Sequence, residues 1–268
     1  MTPLRISCLA LATLDGMFED NYRRALRLTE IALRGQPDIL LLPEAFAAGY
    51  CGTDLTPFAE DPARSPWHRA FADLSRRGHC LIVFGYIEAP PPQPQAASPP
   101  PAPGAASART PTLRNAVRLL DCGEPLGTHY KYSLWPDQNI AFRDEPAMML
   151  PGAGIDLFPS RWGQLAILTC YENWLPENWA AAAHADLILS PYNAPGDSTA
   201  FQRQGVAQIA RPAAWANRTG TVHWPADGKP HGVMPNLGTA GIAAADGTIL
   251  ARSDPGVETI VTAEVTLA

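Results

Sequence analysis

Short, unbroken apolar runs alternate along this chain with stretches of helical spacing. Leu4 to Ala12, the Ile39–Leu42 core of Asp38-Ile-Leu-Leu-Leu-Pro43, Cys80 to Ile87, Leu165 to Thr169 and Asp186 to Ser190 read as strands, several of the two-sided, buried kind. Asn115 to Asp121 and Gly127 to Tyr130 form a pair around a Gly123-Glu124 turn, and Ile155 to Phe158 pairs toward Leu165 through a turn at Ser160–Gly163. Four helices fit between them. Glu19 to Arg34 carries Tyr22, Leu26, Ile31 and Leu33 at helical spacing and stops at Gly35. Pro66 to Arg77 stops at Gly78. Leu175 to His184 is alanine-rich, and Thr199 to Ala216 continues with a break or kink at Pro212. Ser133 to Pro151 is irregular. Thr219 to Trp224, Thr239 to Ala244, Thr248 to Ala251 and Thr259 to Leu267 are late strands, with a hairpin signal at Asp246-Gly247. Strands with interleaved β-pairs and helices predict a mixed-sheet, layered α/β sandwich.

At 268 residues and 46% hydrophobic content, the chain is long enough for one large domain with its own core. No solenoid repeat or composition shift divides it. Residues 90–111 break the pattern. They are nearly all Pro, Ala, Ser, Gln and Gly, too poor in apolar surface to offset their ordering entropy. They read as a flexible or polyproline-like surface insertion, with a docking ligand as the alternative. A net charge of -6 provides no basic face for nucleic acid. No apolar run approaches the ~18 residues of a membrane span. The apolar start, Met1 to Leu14, is short and lacks a cleavage site, so it reads as the first strand of a cytoplasmic protein. Cys8, Cys51, Cys80, Cys122 and Cys170 are odd in number and widely spaced, which argues against a disulfide framework and a zinc site. Cys8, Cys80 and Cys122 lie in or beside apolar runs, where packing is the expected role.

Glu44, Lys131 and Cys170 stand at the ends of apolar runs, where α/β sheets gather their sites. A thiol attacks as thiolate and needs a base; a carboxylate whose pKa burial has raised can serve. A protonated lysine stabilises both the thiolate and the oxyanion of a tetrahedral intermediate, and the Tyr171 backbone N–H is a second oxyanion donor. Taken singly, the three read as a helix cap, a solvated charge and a core residue.

Three segments carry a resemblance. Leu41-Leu-Pro-Glu44-Ala-Phe-Ala-Ala-Gly49-Tyr50, His129-Tyr-Lys131-Tyr-Ser-Leu-Trp135 and Leu168-Thr-Cys170-Tyr-Glu172-Asn-Trp-Leu-Pro-Glu177 resemble, in order and spacing, the glutamate, lysine and cysteine motifs of the nitrilase superfamily. Asn115, Pro151-Gly152 and Asp186-Leu-Ile-Leu-Ser-Pro191 support the match over nearly the whole chain. The resemblance implies a four-layer α-β-β-α sandwich that forms a homodimer or higher homo-oligomer through its outer helices. It implies hydrolysis of non-peptide carbon–nitrogen bonds, without metal or organic cofactor. Glu44 would be general base, Lys131 electrostatic stabiliser and Cys170 nucleophile. Glu145 would be a second glutamate orienting substrate and lysine, with Asp144 as the alternative. Tyr50, Tyr171, Trp174 and Asn193 are candidate substrate-binding or oxyanion residues, and Tyr132, Trp135 and Tyr192 could line the pocket with them. Glu172 is expected to make a structural ion pair or hydrogen bond.

Departures shape the subfamily. Ser133 replaces a histidine common after the lysine, and Ala210-Arg-Pro-Ala-Ala-Trp-Ala-Asn217 leaves the register of a usual Arg/Glu motif uncertain. Tyr171 follows the cysteine where nitrilases favour tryptophan, which directs the reading toward a small-molecule amidase. N-carbamoyl amidohydrolase and nitrilase are the alternatives, with a non-catalytic binding protein on the same fold as a further one. A Cys–His enzyme using His129 or His184 lacks a protease signature. There is no Gly-x-Ser-x-Gly, P-loop or dinucleotide fingerprint.

Overall fold

The structure is a computed structural model, and it describes residues 3–49, 54–90, 112–136, 144–223 and 233–267. Tyr50, Cys51 and nearly all of the Pro-rich insertion lie outside those residues. In chain order the elements are β1 (Leu4–Leu14), α1 (Phe18–Leu33), β2 (Ile39–Leu41), α2 (Pro66–Gly78), β3 (Leu81–Glu88), β4 (Arg114–Asp121), β5 (Glu124–Tyr130), α3 (Glu145–Met148), β6 (Leu157–Ser160), β7 (Gly163–Ile167), α4 (Pro176–Ala181), β8 (Leu187–Pro191), α5 (Thr199–Ile209), β9 (Ala213–Ala216), β10 (Arg218–His223), β11 (Val233–Leu237), β12 (Gly241–Ala243), β13 (Ile249–Arg252) and β14 (Thr259–Val265).

Two mixed sheets face each other. One runs β11-β10-β1-β2-β3-β4-β5, with β14 also paired to β1; the other runs β13-β12-β9-β8-β7-β6. The period-two rhythm of each strand sorts its side chains. On β1, Ile6, Cys8 and Ala10 enter the layer between the sheets, where they meet Ile167, Leu189 and Ala216 of the second sheet. Leu9 and Leu11 point the other way, toward Tyr22, Ala25 and Leu28 of α1 and Phe71 and Leu74 of α2. Trp179 of α4 and Val206 of α5 cover the outer face of the second sheet. The result is the expected α-β-β-α order. Each large aliphatic side chain buried between the layers contributes about 1.5–3 kcal/mol relative to exposure.

β1 divides one edge between two partners. Leu4–Ala10 pairs antiparallel with β14 and Leu11–Leu14 parallel with β10.

Several sequence expectations need correction. α1 buries Tyr22, Ala25, Leu28 and Ala32, whereas Ile31 is exposed, so small residues set its inner face and allow close approach to the sheet. The predicted helix over Thr199–Ala216 ends at Ile209. Ala210 turns left-handed at φ 50, Pro212 has no N–H to continue the ladder, and the next four residues form a fully buried central strand. Ser133–Pro151 contains the helical turn α3. Cys122 is no core residue; it lies half-buried in the β4–β5 turn at φ 51. β11 carries Pro235, which hid it as a strand; it pairs only with β10, at the edge of the sheet, where proline is tolerated. Among the described residues no helix is long and apolar enough to cross a membrane.

Candidate active site

Glu44 follows β2. The chain stays pinned to β3 beyond the strand, with Leu42 N–H donating to Val83 O at 2.8 Å and Gly85 N–H to Pro43 O at 3.2 Å. Residue 85 must be glycine here, since a Cβ would stand 2.6 Å from Glu44 Cα. Ala45 then adopts φ 41 and turns the chain away, leaving Glu44 fully buried.

Lys131 leaves β5 with its N–H on Asn115 O at 2.9 Å and its carbonyl accepting from Gly152 N–H at 2.9 Å. Its ammonium donates to Glu44 Oε1 at 2.8 Å and reaches Glu145 Oε2 at 2.9 Å. Asn115 Nδ2 bridges both carboxylates, at 2.6 Å to Glu44 and 3.0 Å to Glu145. Glu145 is held in turn by Trp135 N–H, 2.6 Å from Oε2. Both lysine–glutamate pairs have side chains only 1% exposed. Burial pushes the Lys131 ammonium toward its neutral form, but the carboxylates of Glu145 and Glu44 outweigh it, and Lys131 is held protonated well above its ordinary value.

Cys170 comes three residues after β7, where Leu168 N–H still bonds Leu189 O at 3.1 Å. At φ 48 it occupies the left-handed region, and a tight helical turn over Cys170–Trp174 begins there. A non-glycine residue in that conformation carries about 1–2 kcal/mol of strain, which suits an elbow that presents its side chain. Asn173 holds the elbow. Its Nδ2 donates to Leu168 O at 2.7 Å and Cys170 O at 3.1 Å, while Ser190 and Gln202 each donate to its Oδ1 at 2.8 Å. The half-buried thiol is pushed up, first by desolvation and then by the Glu44 carboxylate; Lys131 and the backbone N–H of Asn193 pull the other way. Cys170 therefore rests as a thiol, in the field of the Glu44 carboxylate and the Lys131 ammonium.

Glu172 joins the cysteine elbow to the lysine segment. Its Oε2 accepts from Thr169 N–H at 2.6 Å and His129 Nε2 at 3.0 Å; its Oε1 accepts from Tyr132 N–H at 2.6 Å and Ser133 N–H at 3.3 Å. His129 Nδ1 donates to Asp156 at 2.9 Å. Burial alone would push the fully buried imidazole down, but Glu172 and Asp156 prevail and raise it to about 9. His129 is thus an imidazolium clamped between carboxylates. A folded pKa raised from 6.5 contributes stability that is whole below pH 6.5 and fades as pH rises through 9. The urea midpoint of the wild type is therefore expected to fall between pH 7 and pH 10, and His129→Gln to flatten that fall. An unchanged slope in the variant would show that the clamp is not the proton-linked group.

The remaining candidates divide. Tyr171 and Trp135 pack edge to face at 5.0 Å, and Trp174, 39% exposed, stacks on Phe201 at 4.7 Å. Together they form an aromatic rim beside the elbow. Tyr132 is exposed and Tyr192 fully buried. Asn193 is 95% buried by its 5% exposure. Asp144, half-buried, makes no cap bond to α3, and Glu145 is the acid that meets Lys131. His129 is engaged away from the thiol, which removes it as a cysteine partner. Asn173, Arg218, Phe201 and the Asp156 end of the clamp were not singled out in the sequence; Asn173 follows Glu172 in the cysteine segment, while the others had no motif to mark them. Among the described residues no group of three or more His, Cys, Asp or Glu could hold a metal ion.

Comparison with known proteins places this chain in a family. The probable nitrilase of Schizosaccharomyces pombe is 21% identical over 229 residues, covering 81% of this chain and 75% of that protein. A carbon–nitrogen hydrolase from Helicobacter pylori G27 superposes with a TM-score of 0.76 at 18% identity, over 98% of this chain and 89% of the other. A cysteine variant of the Nesterenkonia AN1 amidase, from the nitrilase superfamily, gives 0.74 at 19% identity, over 97% and 90%. A further variant of that amidase shows covalent addition of the acetamide moiety of fluoroacetamide at its active site cysteine, with 0.74, 19%, 97% and 89% for the same measures. At these identities the superpositions show the fold. The sequence profile described as carbon-nitrogen hydrolase matches residues 6–268, and with that span the chain belongs to the carbon–nitrogen hydrolase family of the nitrilase superfamily.

Proposed function

We propose that this carbon–nitrogen hydrolase cleaves small linear amides through an acyl-enzyme on Cys170. The observation that carries the reading is a buried Glu44–Lys131–Glu145 knot set beside a thiol on a left-handed elbow. Glu44 takes the thiol proton as sulfur attacks the amide carbon. The oxyanion is stabilised by the Lys131 ammonium and the Tyr171 N–H. As the C–N bond breaks, Glu44 returns the proton to nitrogen and ammonia or an amine leaves. Water then loses its proton to Glu44, adds to the thioester and frees the acid with the thiol restored. Glu145 positions the lysine and keeps its charge compensated. Support comes from the Nesterenkonia amidase, whose structures include an acrylamide complex and a cysteine adduct.

The test is a release assay over aliphatic amides, ω-amides, N-carbamoyl compounds and nitriles, combined with intact mass. Turnover of amides with an acyl adduct mapped to Cys170 is the expected result. Preference for nitriles or carbamoyl compounds would move the substrate class. Turnover with an adduct on another residue would overturn the assignment of the nucleophile, and no turnover across the panel would favour a binding protein.

A further inference from the structure

Arg218 is a second fully buried cation outside the knot among the described residues, with no exposed surface. It begins β10, and its guanidinium fans over three partners. Nη2 donates to Asp15 Oδ1 at 2.6 Å, Nε to Thr13 Oγ1 and Nη1 to Asn193 Oδ1 at 3.0 Å. The Asp15 side chain is equally buried. Gly49, on the chain leaving Glu44, lies directly over the pair at φ 62; a Cβ there would stand 2.0 Å from Asp15 Oδ1 and 2.9 Å from Arg218 Nη1. A buried ion pair is weak evidence for stability, because desolvation cancels much of its attraction. It does fix geometry.

The geometry fixed here is that of Asn193. A guanidinium has donors only, so the atom of the amide that faces it is oxygen, and the NH2 must turn elsewhere. That NH2 is buried and meets no hydrogen-bond acceptor of the described chain. Asn193 is also placed at the reaction centre from both sides. Its own N–H bonds Cys170, and the carbonyl of the preceding Tyr192 accepts from Glu44 N–H at 3.2 Å. A buried donor without an acceptor needs an explanation, and next to Cys170 a bound substrate can supply the missing acceptor.

We infer that Arg218, braced by Asp15, is a positioning residue that orients the Asn193 amide, and that the Asn193 NH2 receives an oxygen acceptor on the acyl chain of the substrate. The preferred amides then carry a carboxylate, carbonyl or hydroxyl beyond the scissile carbonyl. This rests on the amidase reading above and narrows it, because a site built around a hydrogen bond discriminates against the analogue that lacks it.

Two arms test it on the full chain. In the first, kcat/KM is measured for amides of matched length with and without the acceptor. Asn193→Leu is expected to lower the ratio of the two about tenfold, through KM more than kcat. Arg218→Gln, with Arg218→Lys as the milder variant, is expected to lower the same ratio, and the double variant to add little, since the two act as one unit. In the second arm, Cys170 is labelled with 2-carboxyethyl or propyl methanethiosulfonate, each forming a disulfide as methanesulfinate leaves. The wild type is expected to favour the carboxyethyl reagent, and all variants to lose that preference together. If both ratios hold in the Asn193 variant, or shift there but not in either Arg218 variant, the inference is wrong although amide turnover stands. If the wild type turns over no amide, the amidase reading fails by itself, and the labelling ratio alone decides on Arg218 and Asn193.

Discussion

Cys170→Ala is expected to lower amide turnover by about 10⁴-fold or more, because removal of a nucleophile leaves only binding and oxyanion stabilisation. The fold should remain. The thiol is half-buried, its removal opens no large cavity, and alanine at φ 48 is no more strained than cysteine. Ammonia release and a circular dichroism melt check both halves. Turnover near the wild-type level on a verified substrate would remove Cys170 from the mechanism. A collapsed melt would instead make the residue structural. Cys170→Gly gives a useful contrast, since glycine adopts the left-handed elbow freely and should melt no lower than alanine.

Lys131→Leu is expected to remove activity and, in addition, to destabilise the protein by about 3–5 kcal/mol, the usual effect of leaving buried charge without its partner. Here two carboxylates, Glu44 and Glu145, would face each other across the missing ammonium, tied by Asn115 to the same small volume. Urea melts of the variant against the wild type measure the loss. Lys131→Arg keeps the charge but replaces a compact ammonium by a planar fork. It should recover much of the stability and little of the activity. If Lys131→Leu melts like the wild type, the knot is not held by charge, and the role given to Lys131 needs another basis.

Much of the architecture was legible because strand and helix rhythms are local. The alternating residues of β1 and the apolar runs of β2, β3, β7 and β8 give their own elements. Where the reading failed, distant structure overrode local pattern. Ala213–Ala216 has the composition of a helix, yet it is a strand because β8 and β12 enclose it on both edges. Glu44, Lys131, Glu145 and Cys170 could be singled out by motif, but their spacing in sequence says nothing about their distances. Asn115 binds two carboxylates from positions 71 and 30 residues away. The pairing of Arg218 with Asp15 spans 203 residues and belongs to no motif. Such contacts are products of sheet order, which a single sequence does not display.

The shared edge of β1 has a consequence in time. Leu4 pairs with Val265 and Ala10 with Thr259, so β1 is completed by β14, the last strand described. At a synthesis rate of ~5–20 residues per second, the first strand leaves the ribosome on the order of ten seconds or more before its partner exists. During that interval an apolar strand with an open edge invites pairing with other chains. Polysome-bound protein should therefore need a chaperone that shields β1, and a chain stopped before residue 259 should aggregate even though Glu44, Lys131 and Cys170 have all been made.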